Sequence, residues 1–385
     1  MIDLFILSGT YIGGGAEKVA ETLGNNLPET ISRQLIALHK VDDCYDLKYD
    51  VITLSNTTSK SNIIRCLKLP VLTLKYILLI KKYHPKVSLS MLLEDNLINI
   101  FSSIVTKSIP IISIHWMPNR KFSMRNKILQ KLMLSLVRLF NIKVIAVSHG
   151  VKNELILGYG LYAENITMIY NPVNIENIKV LGEMPVNEDM FEANVLTIIT
   201  VGRLTDVKGQ WHLVRVFSEL HKIMSCRLII CGDGPLRNYL RKLVNQLEID
   251  NDVYFLGWCS NPYKYMAKSD VFILTSSSES FGNVLVEAMA CGVPVIASNC
   301  SPAMEEILGT NGEYGLLTQK MTDKKYSISD GLDSGEIDLK NKIMQLINNR
   351  DLQEKLSING KERAQDFSMD LSLKEYTRLL SSYYD

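Results

Sequence analysis

At 385 residues, with 46% hydrophobic and 22% charged side chains, the sequence excludes a disordered protein and is too long for one ordinary core. Two domains of roughly half that length are expected. The net charge of +1 conceals an asymmetry, because residues 1–180 carry 21 Lys+Arg against 13 Asp+Glu and the remainder 21 against 28. Residues 60–152 hold sixteen basic residues and two acids, Glu94 and Asp95, which points to an anionic partner: a membrane surface or nucleic acid. The seven cysteines (Cys44, Cys66, Cys226, Cys231, Cys259, Cys291, Cys300) form no CxxC pair and no metal-ligand spacing with the six histidines. Their odd number, with no signal peptide ahead of the first strand, suits a reducing cytoplasm. The longest apolar stretch, Leu69 to Ile80, carries Lys75 and is too short to span a bilayer, so a soluble or peripheral protein is expected.

Short apolar strands alternate with helical stretches throughout, the pattern of an α/β fold with parallel sheets. The first half predicts strands near Leu4–Leu7, Gln34–Leu38, Val87–Ser90, Ile111–Ile114 and Val144–Val147. Helices are expected near Ala16–Leu27, Ser61–Tyr83, Asn96–Thr106, Ser123–Phe140 and Val151–Tyr159. Between the first strand and helix lies Gly13-Gly14-Gly15-Ala16-Glu17. Its glycines either bring a ligand close to the helix N-terminus or make a plain tight turn. No GxGxxG spacing runs through it, so it is not the dinucleotide fingerprint. His115 ends the strand Ile111–Ile114 and opens the loop Trp116-Met117-Pro118-Asn119-Arg120. A strand-end histidine serves as a general acid/base, a hydrogen-bonding group or a satisfied structural residue. His39 and His149 share strand-end positions with less support. Asn171-Pro172-Val173 and the polar, acidic stretch Asn174 to Asn194 read as a linker.

A second series of strands follows at Val195–Thr200, Arg227–Cys231, Val253–Leu256, Asp270–Leu274 and Val293–Ala297. Two doubly wound domains are expected to face one another, with ligands at the strand ends lining a cleft. Thr322 to Glu336 reads as a loop, and the amphipathic tail Asp370 to Asp385 is placed to cross back onto the first domain.

The most informative stretch is Ser276 to Glu287. It leaves an apolar strand through serines and Glu279, and from Gly282 the pattern turns helical until Gly292, with Pro294 beyond. A strand feeding a glycine-opened helix leaves backbone N–H groups and a positive dipole end at the sheet edge, an anion site. Glu279 and Glu287 bracket it, and carboxylates repel a bare phosphate, so they are expected to meet hydroxyls on either side of one. The ligand this describes is a nucleotide sugar. Arg203 and Lys208 follow an earlier strand, where two cations can clamp a diphosphate or merely sit on the surface. Cys231-Gly232-Asp233-Gly234-Pro235-Leu236 ends another strand in a glycine-rich turn, either near the ligand or fixed by torsion alone. Asp250-Asn251-Asp252 is formally a DxD but precedes its strand, at the amino end of the sheet, so no metal site is expected.

Two basic amphipathic stretches, Lys60–Lys86 and Arg120–Lys143, must pack part of their apolar stripes on the sheet. Their excess of charge (Lys68, Lys75, Lys81, Lys82; Arg120, Lys121, Arg125, Lys127, Lys131, Arg138) fits anionic lipid headgroups. No aromatic–basic interleaving supports nucleic acid.

Together these residues resemble retaining GT-B glycosyltransferases of family 4, the glycosyl transferases group 1. The resemblance rests on a Glu-x7-Glu signature from Glu279 to Glu287 with Phe281-Gly282 inside it, on Gly202-Arg203-Leu204 with Lys208-Gly209, and on Gly232-Asp233-Gly234-Pro235-Leu236. Gly292-Val293-Pro294-Val295-Ile296-Ala297, the glycine-rich Gly13-Gly14-Gly15-Ala16-Glu17 and Asn171-Pro172-Val173 complete it. It implies two Rossmann-like domains: an acceptor-binding one over residues 1–175, with the helix at about 370–385 on it, and a donor-binding one over 176–369. It further implies that Arg203 and Lys208 bind the donor diphosphate beside Gly202, and that Glu279 contacts the donor sugar as a catalytic-site residue. Phe281, Gly282 and Asn283 then lie beside sugar and phosphates, Val284 and Leu285 offer backbone amides, and Glu287 holds the ribose. Gly13, Gly14, Gly15 and Glu17 form the acceptor or diphosphate loop, and His115 matches a catalytic histidine near the anomeric centre. Asn299-Cys300-Ser301-Pro302-Ala303 departs from the glycine-bearing loop common in relatives.

The expected protein is a cytoplasmic glycosyltransferase, peripheral on the inner membrane face. It is expected to transfer a hexose or N-acetylhexosamine from a nucleoside-diphosphate sugar, a UDP-sugar, to a glycan or lipid-linked acceptor in cell-surface polysaccharide or glycoconjugate synthesis. Neither cofactor nor metal is expected. The alternatives are a UDP-sugar 2-epimerase and a non-catalytic nucleotide-sugar-binding subunit.

Overall fold

The computed structural model describes every residue except 1, 12, 41–46, 57–61, 119–122, 187–189, 192–194 and 385, and of 62–67 the backbone alone. The chain divides into two compact units, Met1–Pro172 with Met369–Asp385, and Val173–Ser368.

Unit 1 is built on seven parallel strands: β1 (Leu4–Ser8), β2 (Arg33–His39), β3 (Val51–Ser55), β4 (Val87–Ser90), β5 (Ile109–Ile114), β6 (Lys143–Ala146) and β7 (Ile166–Met168). Their order is β3-β2-β1-β4-β5-β6-β7. Helices α1 (Gly15–Asn26), α2 (Asn62–Tyr83), α3 (Leu93–Ile104), α4 (Met124–Leu139) and α5 (His149–Asn153) connect them, with the C-terminal helix Met369–Ser381 added. Successive residues of a strand point to opposite faces, and β1 uses both. Leu4 and Ile6 pack with Val19 and Leu23 of α1 and with Tyr376 and Leu380 of the C-terminal helix. Phe5 and Leu7 pack with Tyr76 of α2 and Ile98 of α3. A strand apolar on both faces must be covered on both, which is why it reads as a continuous apolar run.

Unit 2 has six parallel strands: β8 (Leu196–Val201), β9 (Cys226–Cys231), β10 (Val253–Gly257), β11 (Val271–Leu274), β12 (Val295–Ser298) and β13 (Leu316–Thr318). Their order is β10-β9-β8-β11-β12-β13. Its helices are α6 (Ile175–Gly182), α7 (Gln210–His221), α8 (Arg237–Gln246), α9 (Tyr263–Met266), α10 (Asn283–Cys291), α11 (Pro302–Leu308), α12 (Ser334–Ile347) and α13 (Arg350–Ala364). Trp211, Val214 and Phe217 of α7 join Ile198 and Leu228 in its core. The expected fold class, α/β with two Rossmann-like parallel-sheet domains, is the one observed. Each sheet winds outward from its first strand and then resumes on the other side, between β1 and β4 and between β8 and β11. Ligand crevices open at the strand carboxyl ends at such a switch point.

The differences from expectation are local. Strands β3, β7 and β13 are edge strands of three to five residues, too short to stand out as apolar runs. Within the expected linker, Ile175–Gly182 is helical: the Asn174 side chain accepts the Asn177 N–H at 3.0 Å, and Ile175 and Ile178 are buried. The helix expected at Val151–Tyr159 is α5 followed by a π-turn at Glu154–Gly158. The loop expected to run to Glu336 ends at Asp333, whose carboxylate accepts the Glu336 N–H while Glu336 accepts that of Asp333.

That loop is pinned from below. His212 Nδ1 lies 2.8 Å from Glu336 Oε1 and its Nε2 lies 2.9 Å from the Thr322 carbonyl, while Arg215 Nε donates to Glu336 at 3.0 Å. The other Arg215 nitrogens donate to the carbonyls of Ser327, Asp330 and Gly331. Buried charges are tolerated because each has its partner.

Candidate active site

At the β8/β11 switch point of unit 2, two loops clasp one another. The loop after β8 carries Arg203 and Lys208, and that after β11 carries Ser276 and Glu279. Ser277 N–H donates to the Val207 carbonyl at 2.8 Å, and the Thr275 hydroxyl to the Lys208 and Gly209 carbonyls at 3.1 and 3.0 Å. On this frame Lys208 Nζ meets Glu279 Oε1 at 2.6 Å, and the Ser276 hydroxyl donates to the same oxygen at 2.6 Å. The pair is mostly shielded, with side-chain exposures of 24% for Lys208 and 12% for Glu279, so its attraction is screened less than a surface pair's. The guanidinium of Arg203 belongs to an exposed residue on the same loop, and the Gly202 N–H donates to the Cys231 carbonyl at 2.9 Å. Cys300, in the loop after β12, has its thiol pushed up to about 12 by burial and by the charge of Glu279, which puts that loop beside the carboxylate.

Helix α10 starts immediately after Gly282, whose φ of +104° places it in a region that other residues avoid. Asn283, Val284 and Leu285 occupy its first turn and Glu287 its second, half-buried. Two details of this loop bear on the donor contacts expected of it. Leu285 N–H already donates to the Gly282 carbonyl at 2.9 Å, so of the two amides expected to meet a ligand, that of Leu285 is committed within the turn. Phe281 is buried, edge-on to Phe367 with ring centroids 5.4 Å apart, so its ring anchors the loop.

Unit 1 has its own cavity, of about 400 Å³, at the β1/β4 switch point. Gly9, Thr10, Glu17, His39, Asp95 and His115 contribute to its walls, together with Glu94. Glu17 sits in the first turn of α1 with its carboxylate folded back over Gly14. Gly13 has a φ of +70° and Gly15 opens α1. His115 Nε2 lies 2.9 Å from the Ser113 hydroxyl, and burial lowers its pKa to about 3, so the imidazole is neutral near pH 7. Asp95 accepts the Leu92 N–H at 3.2 Å, and burial and the charges of Glu17 and Glu94 hold its carboxyl well above the usual range. His149 lies elsewhere, edge-on to Tyr170.

Glu94, Asp95, Ser276 and Cys300 were not singled out from the sequence as site residues. Asp95 and Glu94 stood out there only as the two acids of a basic region; their place at the opening of α3, after a strand end, was the available signal.

Among the described residues the grouping of side chains suited to a metal is His212, Asp333 and Glu336. It lies under the pinned loop, and both His212 nitrogens already face oxygen partners. The second carboxylate of the DxD, Asp252, pairs with His221 at 2.8 Å ahead of β10.

The basic faces are partly exposed. Helix α2 presents Val71, Leu74 and Leu78 near Lys81 and Lys82, and α4 presents Met124, Ile128, Leu132 and Leu139 among Lys127, Lys131 and Arg138. Lys75 and Arg125 are drawn inward, to the Leu54 carbonyl at 2.6 Å and to Glu94 at 2.7 Å. Lys60, Asn119, Arg120 and Lys121 lie outside the described residues. No described helix is long and apolar enough to cross a membrane.

Residues 187–363 match the family model of the glycosyl transferases group 1. The chain is 28% identical over 364 residues to an uncharacterized glycosyltransferase of Methanocaldococcus jannaschii, covering 87% of this chain and 89% of that one. It is 29% identical over 333 residues to the N-acetylgalactosamine-N,N'-diacetylbacillosaminyl-diphospho-undecaprenol 4-alpha-N-acetylgalactosaminyltransferase of Campylobacter jejuni, covering 83% and 86%. Among solved structures, Anabaena HepE in complex with UDP-glucose is similar with a TM-score of 0.80 at 22% identity, over 99% of this chain and 100% of that one. That family match lies within unit 2, and the chain is a glycosyltransferase with the α/β fold of two parallel sheets found in its structural neighbours.

Proposed function

We propose that the chain moves a hexose or N-acetylhexosamine from a nucleoside-diphosphate sugar, UDP-linked, to a glycan or lipid-linked saccharide in cell-surface polysaccharide or glycoconjugate synthesis, with retention at the anomeric carbon. The observation that carries this reading is the Lys208–Glu279 pair across the β8/β11 switch point, beside the opening of α10. A diphosphate takes over Lys208 and Arg203, and the sugar hydroxyls take over Glu279, so donor binding exchanges one ion pair for two matched contacts. Glu287, a turn along α10, reaches the ribose, and the backbone of Gly202, Gly282 and Asn283 approaches the phosphates. The Campylobacter jejuni relative is named for a diphospho-undecaprenol-linked saccharide and HepE was solved with UDP-glucose, which favour this donor and acceptor class.

Unit 1 takes the acceptor. Its cavity offers hydrogen-bonding partners for hydroxyls from Glu17, Asp95 and the neutral His115. The leaving diphosphate accepts the acceptor's proton as the bond to the anomeric carbon breaks on the same face. Arg203, Lys208 and the N-terminal dipole of α10 meet the charge that develops on the diphosphate, with no metal required.

The test is transfer to lipid-linked saccharide acceptors from a panel of UDP-sugars in EDTA, with the product's anomeric configuration read by NMR. A retained product formed equally well in EDTA is expected. Activity abolished by EDTA and restored by Mg²⁺ or Mn²⁺ would refute the metal-free mechanism, and conversion of UDP-GlcNAc without acceptor would indicate a 2-epimerase.

The exposed apolar ridges of α2 and α4 with their lysines support a working position at an anionic cytoplasmic membrane face. The protein is expected to bind anionic vesicles in a salt-sensitive way, and charge reversal at Lys81, Lys82 and Lys127 to cost about 1 kcal/mol of binding per residue. Equal binding to neutral vesicles would contradict this.

A further inference from the structure

We propose that Cys231 and Cys259 are a reversible dithiol–disulfide pair, a site of thiol–disulfide exchange with low-molecular-weight disulfides at the carboxyl edge of the unit 2 sheet. Cys231 is the last residue of β9 and is buried; Cys259 follows the end of β10 and is partly exposed. The two strands are parallel neighbours with Cys231 in register with Gly257, which sets Cys259 two residues further along the adjoining chain with its side chain beside that of Cys231. A dithiol switch needs neighbouring sulfurs, an accessible attacking thiol and a second thiol behind it to resolve the intermediate. All three are present. Cys259 sits below the usual thiol range because the Cys231 thiol hydrogen-bonds to it, with the Asn261 backbone N–H and the charge of Lys264 adding, and Cys231 is pushed up in return. Cys226, Cys291 and Cys300 are each pushed up to about 12, chiefly by burial, and so are poor nucleophiles.

The exchange runs in two displacements. The Cys259 thiolate attacks one sulfur of a disulfide RSSR, forming a mixed disulfide and releasing RS⁻. The Cys231 thiol then gives its proton to solvent and attacks the Cys259 sulfur. A Cys231–Cys259 bond forms and a second RS⁻ leaves. The protein has lost two electrons and the Cys231 proton, and RSSR is reduced to two thiolates, which take up protons from solvent.

The pair is wired to the loop that carries Arg203. The Gly202 N–H donates to the Cys231 carbonyl at 2.9 Å, the Leu204 N–H to the Asp233 carbonyl at 3.0 Å, and the Gly232 N–H to the Gly257 carbonyl at 2.7 Å. Drawing the two neighbouring sulfurs into a covalent bond pulls the chain beyond Gly257 toward β9 and shifts this strip. On the reading of Arg203 as a donor-diphosphate ligand, which this consequence rests on, the oxidised enzyme has a donor KM raised several-fold and a kcat little changed.

The test is to incubate the full chain with oxidised glutathione, alkylate the remaining thiols, map the cysteines by peptide mass and assay transfer. One bridge joining Cys231 to Cys259 is expected, with two of the seven thiols lost and both recovered by dithiothreitol. Cys259→Ser is expected to form no bridge and to keep the reduced enzyme's donor KM in oxidant. No bridge, or a glutathione adduct persisting on Cys259, overturns the pair, and this mapping needs no donor. A bridge that leaves donor KM unmoved overturns its link to Arg203.

Discussion

Glu279→Ala lowers kcat by about two to three orders of magnitude and changes the donor KM little, the size of loss seen when one electrostatic partner of a transition state is removed. The asymmetry follows from the ion pair. Lys208 and Glu279 hold each other at 2.6 Å, so alanine removes the sugar contact but also frees Lys208 for the diphosphate. Binding loses one interaction and gains another, whereas the carboxylate beside the reacting sugar, 12% exposed and fixed by Ser276 as well, has no substitute. Steady-state kinetics at saturating donor decide the matter: unchanged turnover removes Glu279 from the reaction, and a loss confined to KM reduces it to a binding residue.

His115→Ala lowers kcat about a hundredfold, at the lower end for a positioned proton-transfer or hydrogen-bonding group. Burial holds the His115 pKa at about 3 instead of 6.5, so the side chain acts as a neutral imidazole and no limb of the pH–rate profile between roughly pH 5 and 8 belongs to it. The sign for stability runs the same way. A pKa depressed on folding adds stability above the unfolded value of 6.5, and that stability is lost as pH falls toward 3. His115→Asn removes the titration and flattens acid unfolding over that window. A kcat effect absent in His115→Ala, with only KM raised, assigns the residue to binding.

Much of the frame was legible because it is written locally. Gly282 and Gly292 bracket α10 from both ends, each with positive φ, and the apolar runs before Arg203, Gly232 and Ser276 are central parallel strands. What escaped depends on partners distant in sequence. Lys208 and Glu279 were both singled out, but their pairing spans 71 residues and is set by strand order, which places β8 beside β11. Phe281 lies inside a site motif, yet its ring is claimed by Phe367 near the end of unit 2. Glu94 and Asp95 meet Glu17 only because β4 lies next to β1 in the sheet. Helix α6 was hidden in an acidic stretch with two buried isoleucines, too few to show a period.

The central claim is that the β8/β11 switch point holds a nucleoside diphosphate through Arg203 and Lys208. Calorimetric titration of UDP in EDTA, with wild type beside the Arg203→Ala/Lys208→Ala double variant, tests it most directly. Each charge-assisted contact is worth about 1.5–3 kcal/mol. Saturable binding by the wild type, weakened at least about a hundredfold in a variant that remains folded by circular dichroism, is the predicted result. Equal affinity of the two proteins for UDP would contradict it.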